Sequence, residues 1–192
     1  MIDVEIHGPV AKKEYEKLRK LLQTAGEDVR AERRVSIFYK GADAGVLADL
    51  ELRAGTRSEL VLKDRRSDRQ TSLILMPGQL SDALAFCASL GYFKGKVSVR
   101  EFFAARYGGA QFNLIDPLED ESFHYEAFMT VHDPAGAKEA KKKLEVLARK
   151  FKLPLWTSAE MLSFRSALSE RIDYEYDFNE HGAQHFREKF GI

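Results

Sequence analysis

The sequence predicts an α+β fold, and three observations predict it. Several segments alternate ionic and apolar residues with the period of two that puts one face of a strand in a core and the other outside it. Between these segments, apolar residues recur at helical spacing beside recognisable caps. The composition, 192 residues with 44% hydrophobic and 31% charged side chains, is that of a chain able to bury most of its apolar surface in one domain. We therefore expect one domain over residues 1–192, with a core of about 1–152 and a helical C-terminal extension of about 153–192.

Taken in order, Ile2, Val4 and Ile6 alternate with Asp3, Glu5 and His7 in a first strand, which Gly8-Pro9 is expected to end. Tyr15, Leu18, Leu21 and Leu22 then lie on one side of a helix from Lys12, with Gly26 near its C-cap. A β-meander follows: 35–39, 47–53, 59–63 and 69–75, joined by the turn-rich stretches 54–58 and 64–68. After Pro77-Gly78, a helix carries Leu80, Ala83, Leu84, Cys87 and Leu90 on one face and ends at Gly91.

A second β block comprises 96–107, 111–116 and 123–131, with Gly108-Gly109 as a hairpin turn. Asp133-Pro134 suits the N-cap and first position of a helix to about Lys150, whose Lys141-Lys142-Lys143 run forms its solvated face. Thr157-Ser158-Ala159-Glu160 fits a capping box, Trp156 before it reads as a packing anchor, and Phe178 to Phe190 suggests a terminal helix.

Charge and cysteine content exclude several function classes. Thirty Lys plus Arg balance thirty Asp plus Glu, so no broad basic surface for a nucleic-acid polymer is expected, and any anion site must be local. The single cysteine, Cys87, excludes an intrachain disulfide or a cysteine zinc cluster and reads as a small core residue. The N-terminus lacks the apolar core of a signal peptide, and no apolar run approaches a membrane span. The expectation is a cytoplasmic protein without a membrane partner.

His181 and His185 have the i, i+4 spacing of a two-histidine metal site, but His181-Gly182 reads better as a helix start or loop. Gly108-Gly109 lacks the lysine of a phosphate-binding loop.

The ionic faces carry the functional signal. Asp3, Glu5 and His7 share one; Asp49, Glu51 and Arg53 another; Lys63 continues towards Arg65; Lys96, Ser98, Arg100 and Arg106 share a fourth. In an open sheet such faces are solvated decoration. In a closed barrel they would line a lumen, where charges must be paired, hydrated or met by a ligand. Cations that neutralise a polyphosphate, beside carboxylates that hold bridging divalent ions, suit phosphoryl transfer or nucleotide cyclisation.

The order of segments resembles the CYTH superfamily, the triphosphate tunnel proteins that include class IV adenylate cyclases, thiamine triphosphatases and inorganic triphosphatases. The likeness spans roughly residues 1–152. It rests on Val4-Glu5-Ile6-His7-Gly8-Pro9 for an opening E-x-E-x-K strand, Leu50-Glu51-Leu52-Arg53 for an L-R-I-R strand, and Leu60-Val61-Leu62-Lys63 for an L-T-L-K strand. The basic strand Arg100 to Arg106, Leu114-Ile115-Asp116 and His124-Tyr125-Glu126-Ala127-Phe128 continue it. The resemblance implies an antiparallel β-barrel, a tunnel of about eight strands flanked by helices.

It further implies that Glu5, Asp116 and Glu126 hold Mg²⁺ or Mn²⁺, and that Arg53, Lys63, Arg65, Arg100 and Arg106 bind substrate phosphates. His7 is the candidate general base or an additional ligand. The implied ligand is a small phosphorylated anion, and the implied activity a metal-dependent triphosphatase or, second, a cyclase.

The departures from the motif are specific. His7 and Pro9 replace the second Glu and the Lys of the opening strand, unless the register shifts to Asp3, Glu5 and His7; Glu51 replaces an Arg; Phe128 replaces a Glu. They favour a second reading, a non-catalytic anion-binding or structural protein in which Glu51 neutralises Arg53 internally. The C-terminal extension is then a candidate partner or homodimer contact.

Overall fold

The structure is a computed structural model that describes residues 2–39, 48–56, 58–64, 70–76 and 78–191, with backbone alone at 48, 49, 63 and 64. Its elements are β1 (Ile2–Pro9), α1 (Lys12–Ala25), β2 (Glu27–Tyr39), β3 (Ala48–Ala54), β4 (Ser58–Asp64), β5 (Gln70–Leu75) and α2 (Leu80–Ser89). They continue as β6 (Lys94–Tyr107), β7 (Ala110–Asp116), β8 (His124–Val131), α3 (Pro134–Lys150), α4 (Ser158–Ile172), β9 (Tyr174–Asp177) and α5 (Phe178–Phe190). The fold is α+β with an antiparallel sheet, as expected. Among the described residues its hydrogen-bonded order, β1-β8-β7-β6-β2-β3-β4-β5 with β9 beside β6, is an open path with β1 and β5 at its ends, where a closed ring was expected.

The chain divides into two compact units, each discontinuous in sequence. The first, Met1–Glu32 with Arg100–Glu170, packs one face of β1, β8, β7 and the distal half of β6 under α1 and α3. The apolar positions fix which face that is: Ile6, Phe103, Ala105, Phe112, Leu114, Tyr125 and Ala127 are buried with Tyr15, Leu18 and Leu22 of α1 and Leu144 and Ala148 of α3. The second unit, Arg33–Val99 with Arg171–Ile192, buries Val35, Ile37, Leu50, Leu52 and Val97 against Leu84 and Cys87 of α2 and Phe186 and Phe190 of α5. Cys87 is fully buried, and burial pushes its thiol up to about 11, the behaviour of an inert core residue.

Local sequence rules account for most boundaries. Asp133 caps α3 by accepting a bond from the Gly136 amide. Thr157 and Glu160 form the expected capping box, Glu160 accepting from the Thr157 amide and hydroxyl while the Thr157 hydroxyl accepts from the Glu160 amide. Gly108 and Gly109, both at positive φ, make the two-residue turn between β6 and β7.

Three elements differ from expectation. β2 begins at Glu27, because its polar first half is stabilised by strand pairing rather than by an apolar face. β9 is a strand of four residues, too short to register as a pattern, paired with Lys94–Val97 of β6. Finally, β1 continues through Gly8-Pro9, whose partners are Tyr125 and His124. Gly8 is required there for another reason: a Cβ at this position would run into the Pro154 carbonyl, which also accepts a bond from the Tyr125 hydroxyl. Leu21 and Leu90, assigned to apolar helix faces, lie exposed at the edges of those faces.

Candidate functional site

Register decides which ionic side chains meet. In the first unit His7 is directly opposite Glu126, Glu5 opposite Phe128, and Pro9 opposite His124, so all share the sheet face turned away from the core. Across β7, Asn113 is opposite Glu126 and Ala104 opposite Asn113, which carries the same face to Arg100, Phe102 and Arg106 of β6. The candidates on β1, β8 and β6 therefore belong to one surface.

On that surface the His7 imidazole stands between two carboxylates. Its Nε2 lies 3.2 Å from Glu5 Oε2 and its Nδ1 3.8 Å from Glu126 Oε1. Glu126 Oε1 also accepts a bond of 3.0 Å from Nη2 of Arg165, on α4. The hydrogen bond from His7 holds the Glu5 carboxyl below the usual range, burial opposes this, and the charge of Arg165 adds to the lowering.

Beside this group, His124 is only 5% exposed, with its Nδ1 3.2 Å from the Ser122 carbonyl and its ring packed near Phe164 and Trp156. Burial first, and then the charges of Arg100, Arg165 and His7, push His124 down to about 4, while the Ser122 contact works against the shift. Arg100, Arg165 and His7 thus all lie within electrostatic reach of one buried ring.

α4 reaches this face through the 154–156 segment: the Trp156 amide donates to the His7 carbonyl at 2.8 Å, next to the close approach at Gly8. Trp156 then packs on Phe164 at 4.4 Å between ring centroids, as a packing anchor should. Arg165 was not among the sequence candidates. The signal for it was present: Met161, Phe164 and Leu168 form the inward stripe of α4, and Arg165 lies one helical turn beyond Met161.

The other candidates have separate partners or lie off this face. Asp116 lies on the opposite face of β7 from Asn113, its Oδ1 accepting from the Leu118 amide, and it lines a cleft of about 470 Å³ with Tyr15 and Arg19 of α1. The structure does not bring it to Glu126. Arg106 is paired with Glu27 and Asp28, at 3.2 and 2.8 Å. In the second unit Arg53 is held on three sides: Nε and Nη2 donate to the two oxygens of Glu51 at 2.8 and 2.9 Å, and Nη1 to Glu59 at 2.9 Å. Burial acts to lower the Arg53 value, but the bonds and charges of Glu51 and Glu59 outweigh it and hold the guanidinium more firmly protonated. Lys63 sits on β4 opposite Gln70 by its backbone, and Arg65 lies outside the described residues.

These arrangements bear on the metal implied by the resemblance. Glu5 and Glu126 are on opposite sides of an imidazole, Glu126 already carries a guanidinium, and no group of three His, Cys, Asp or Glu side chains converges on a common point among the described residues. In this arrangement the residues do not fit a divalent cation. His181 stacks on His185 at 4.9 Å and on Tyr176 at 6.0 Å between ring centroids, a packing role beside the kink at Gly182.

Solved structures share this architecture. A proposed adenylate cyclase of Vibrio parahaemolyticus superposes with a TM-score of 0.63 at 16% identity, covering 85% of this chain and 98% of that one. A Hippeastrum protein, a proposed adenylyl cyclase whose structure is described as revealing a dominant triphosphatase activity, gives 0.58 at 14%, covering 86% and 95%. The fold is CYTH-type. A chain of the Schizosaccharomyces pombe Mediator head module gives 0.60 at 12% identity, covering 81% and 98%, so this fold is also found in a protein of a quite different setting. No family model and no curated protein matches the sequence. Among the described residues, no helix of the chain is long and apolar enough to cross a membrane.

Proposed function

We propose that the chain binds a small phosphorylated anion, a nucleotide or polyphosphate, on the ionic face of the first unit. The observation that carries this reading is that Arg100 shares one sheet face with His7, His124, Glu5 and Glu126, and that Arg165 of α4 is held against Glu126 on that face, with Glu5 and Glu126 as the counter-charges of His7 and Arg165. Arginine is suited to the task because its planar fork presents several donors to phosphate oxygens at once. Arg53 is not part of this grip: its guanidinium is already engaged by the carboxylates of Glu51 and Glu59, which compete with a phosphate for its donors.

A metal-dependent triphosphatase or cyclase is the second reading, favoured by the activity described for the Hippeastrum protein and opposed by the imidazole that separates Glu5 from Glu126. Thermal shift and calorimetric titration with tripolyphosphate and ATP, each with Mg²⁺, Mn²⁺ or chelator, test both. Stabilisation by phosphates that is lost in Arg100→Ala, without phosphate release, supports binding. Turnover that needs metal selects the second reading, and no response to any phosphate removes both.

A further inference from the structure

The resemblance calls for a divalent cation at Glu126, and the structure puts a guanidinium there. Arg165 contacts Glu126 through Nη2 alone, at 3.0 Å, so the remaining N–H donors of its fork face away from that bond. His7 fills the space between Glu126 and Glu5. We infer that Arg165 takes the place of the bridging cation at this site: it excludes a divalent ion from the Glu5–Glu126 face and links the Glu126 carboxylate to the phosphates of the bound anion, so that anion binding needs no metal.

A divalent ion needs carboxylate oxygens that can turn towards a common point, and it keeps several waters even then. Here a ring separates the two carboxylates and a fixed positive charge lies against one of them, so an incoming ion meets both an obstruction and a repulsion. A guanidinium can be kept at that position because α4 is tethered on the same face, by the Trp156 amide on the His7 carbonyl and by Trp156 and Phe164 packed beside His124. It can also do one thing the ion does: its fork can hold a carboxylate on one edge and a phosphate on another. The half-exposed Arg165 side chain leaves room for that second partner.

The phosphate half of the inference rests on the binding function proposed above, whereas the exclusion of metal does not, and the test separates them. Mn²⁺ is titrated into the full chain without any anion and followed by electron paramagnetic resonance. The native chain is expected to bind none in the millimolar range, and Arg165→Ala, with Arg165→Gln as a second variant that keeps the side-chain volume, to gain one site that disappears when Glu126→Gln is added. Mn²⁺ binding by the native chain overturns the inference, as does a failure of both folded variants to gain the site. Tripolyphosphate is then titrated in chelator. Native affinity equal with and without Mn²⁺, and at least about tenfold weaker in Arg165→Ala, supports the bridging role; native binding that requires Mn²⁺ overturns it. A chain that excludes Mn²⁺ as expected yet binds no phosphate overturns the proposed function and the bridging role, and leaves the metal exclusion standing.

Discussion

Each unit carries an ionic face on which arginine meets glutamate, and the two faces solve the problem differently. In the second unit the partners are neighbours in sequence, Glu51, Arg53 and Glu59, and Glu51 is 4% exposed. In the first they come from far apart, Glu5 and His7 on β1, Glu126 on β8 and Arg165 on α4, and half of the Arg165 side chain is open to solvent. A deep, fully satisfied clamp cannot release its arginine without exposing buried charge, so it acts as structure. A shallow pair is worth little to stability and leaves donors open for a ligand as second partner. Depth, not the number of charges, distinguishes the scaffold from the candidate site.

The sharpest way to break that distinction is Glu51→Ala. It removes the buried carboxylate, leaves the partly buried Arg53 with Glu59, and is expected to cost about 3 kcal/mol in denaturant-induced unfolding. A loss no larger than that of an exposed pair would put the second unit's clamp in the same class as the first.

Acid unfolding should report the first unit. His124 is held near 4, below the ordinary histidine value of 6.5, so between those values the unfolded chain binds a proton that the folded chain refuses. Stability therefore rises with pH across this window. Moving from pH 7 to pH 4 should remove about 3 kcal/mol through this residue, and His124→Gln should flatten the profile. The lowered Glu5 value adds in the same direction, since its contribution is present above the usual carboxylate range and fades as pH falls through the folded value.

Gly8→Ala sharpens the role of the crossing segment. The added methyl meets the Pro154 carbonyl, and a melting experiment should show a loss of about 1–3 kcal/mol, with anion affinity falling too if the displaced segment carries Arg165 away from the face. Arg165→Ala has the smallest expected effect on stability, within about 1 kcal/mol. A large destabilisation there would mean that the first unit's pair is structural after all.

Much of the architecture was legible in the sequence because it depends on neighbours. The capping box at Thr157 and Glu160, the Asp133 cap and the Gly108-Gly109 turn are local geometries. The alternation of β1 and β3 gave the ionic faces because side chains on a strand alternate whatever the strand packs against. The proximity of Glu51 to Arg53, two residues apart on one strand face, was legible for the same reason.

Other features had no local signal. The first half of β2 is largely polar and exposed and becomes a strand through backbone pairing. Asp116 looks in sequence like a companion of Glu126, yet strand register and the turn at Leu118 put it on the other face of β7. Gly8 reads as a strand breaker and proves to be a point of close approach.

Which residues alternate, where helices start and which charges share a strand face follow from backbone periodicity and are readable along the chain. What each charge faces was set by folding alone. Whether Glu126 meets a carboxylate, an imidazole or the guanidinium of Arg165 depends on strand register and on where a distant helix is tethered, and each is a long-range contact that no spacing along the chain encodes.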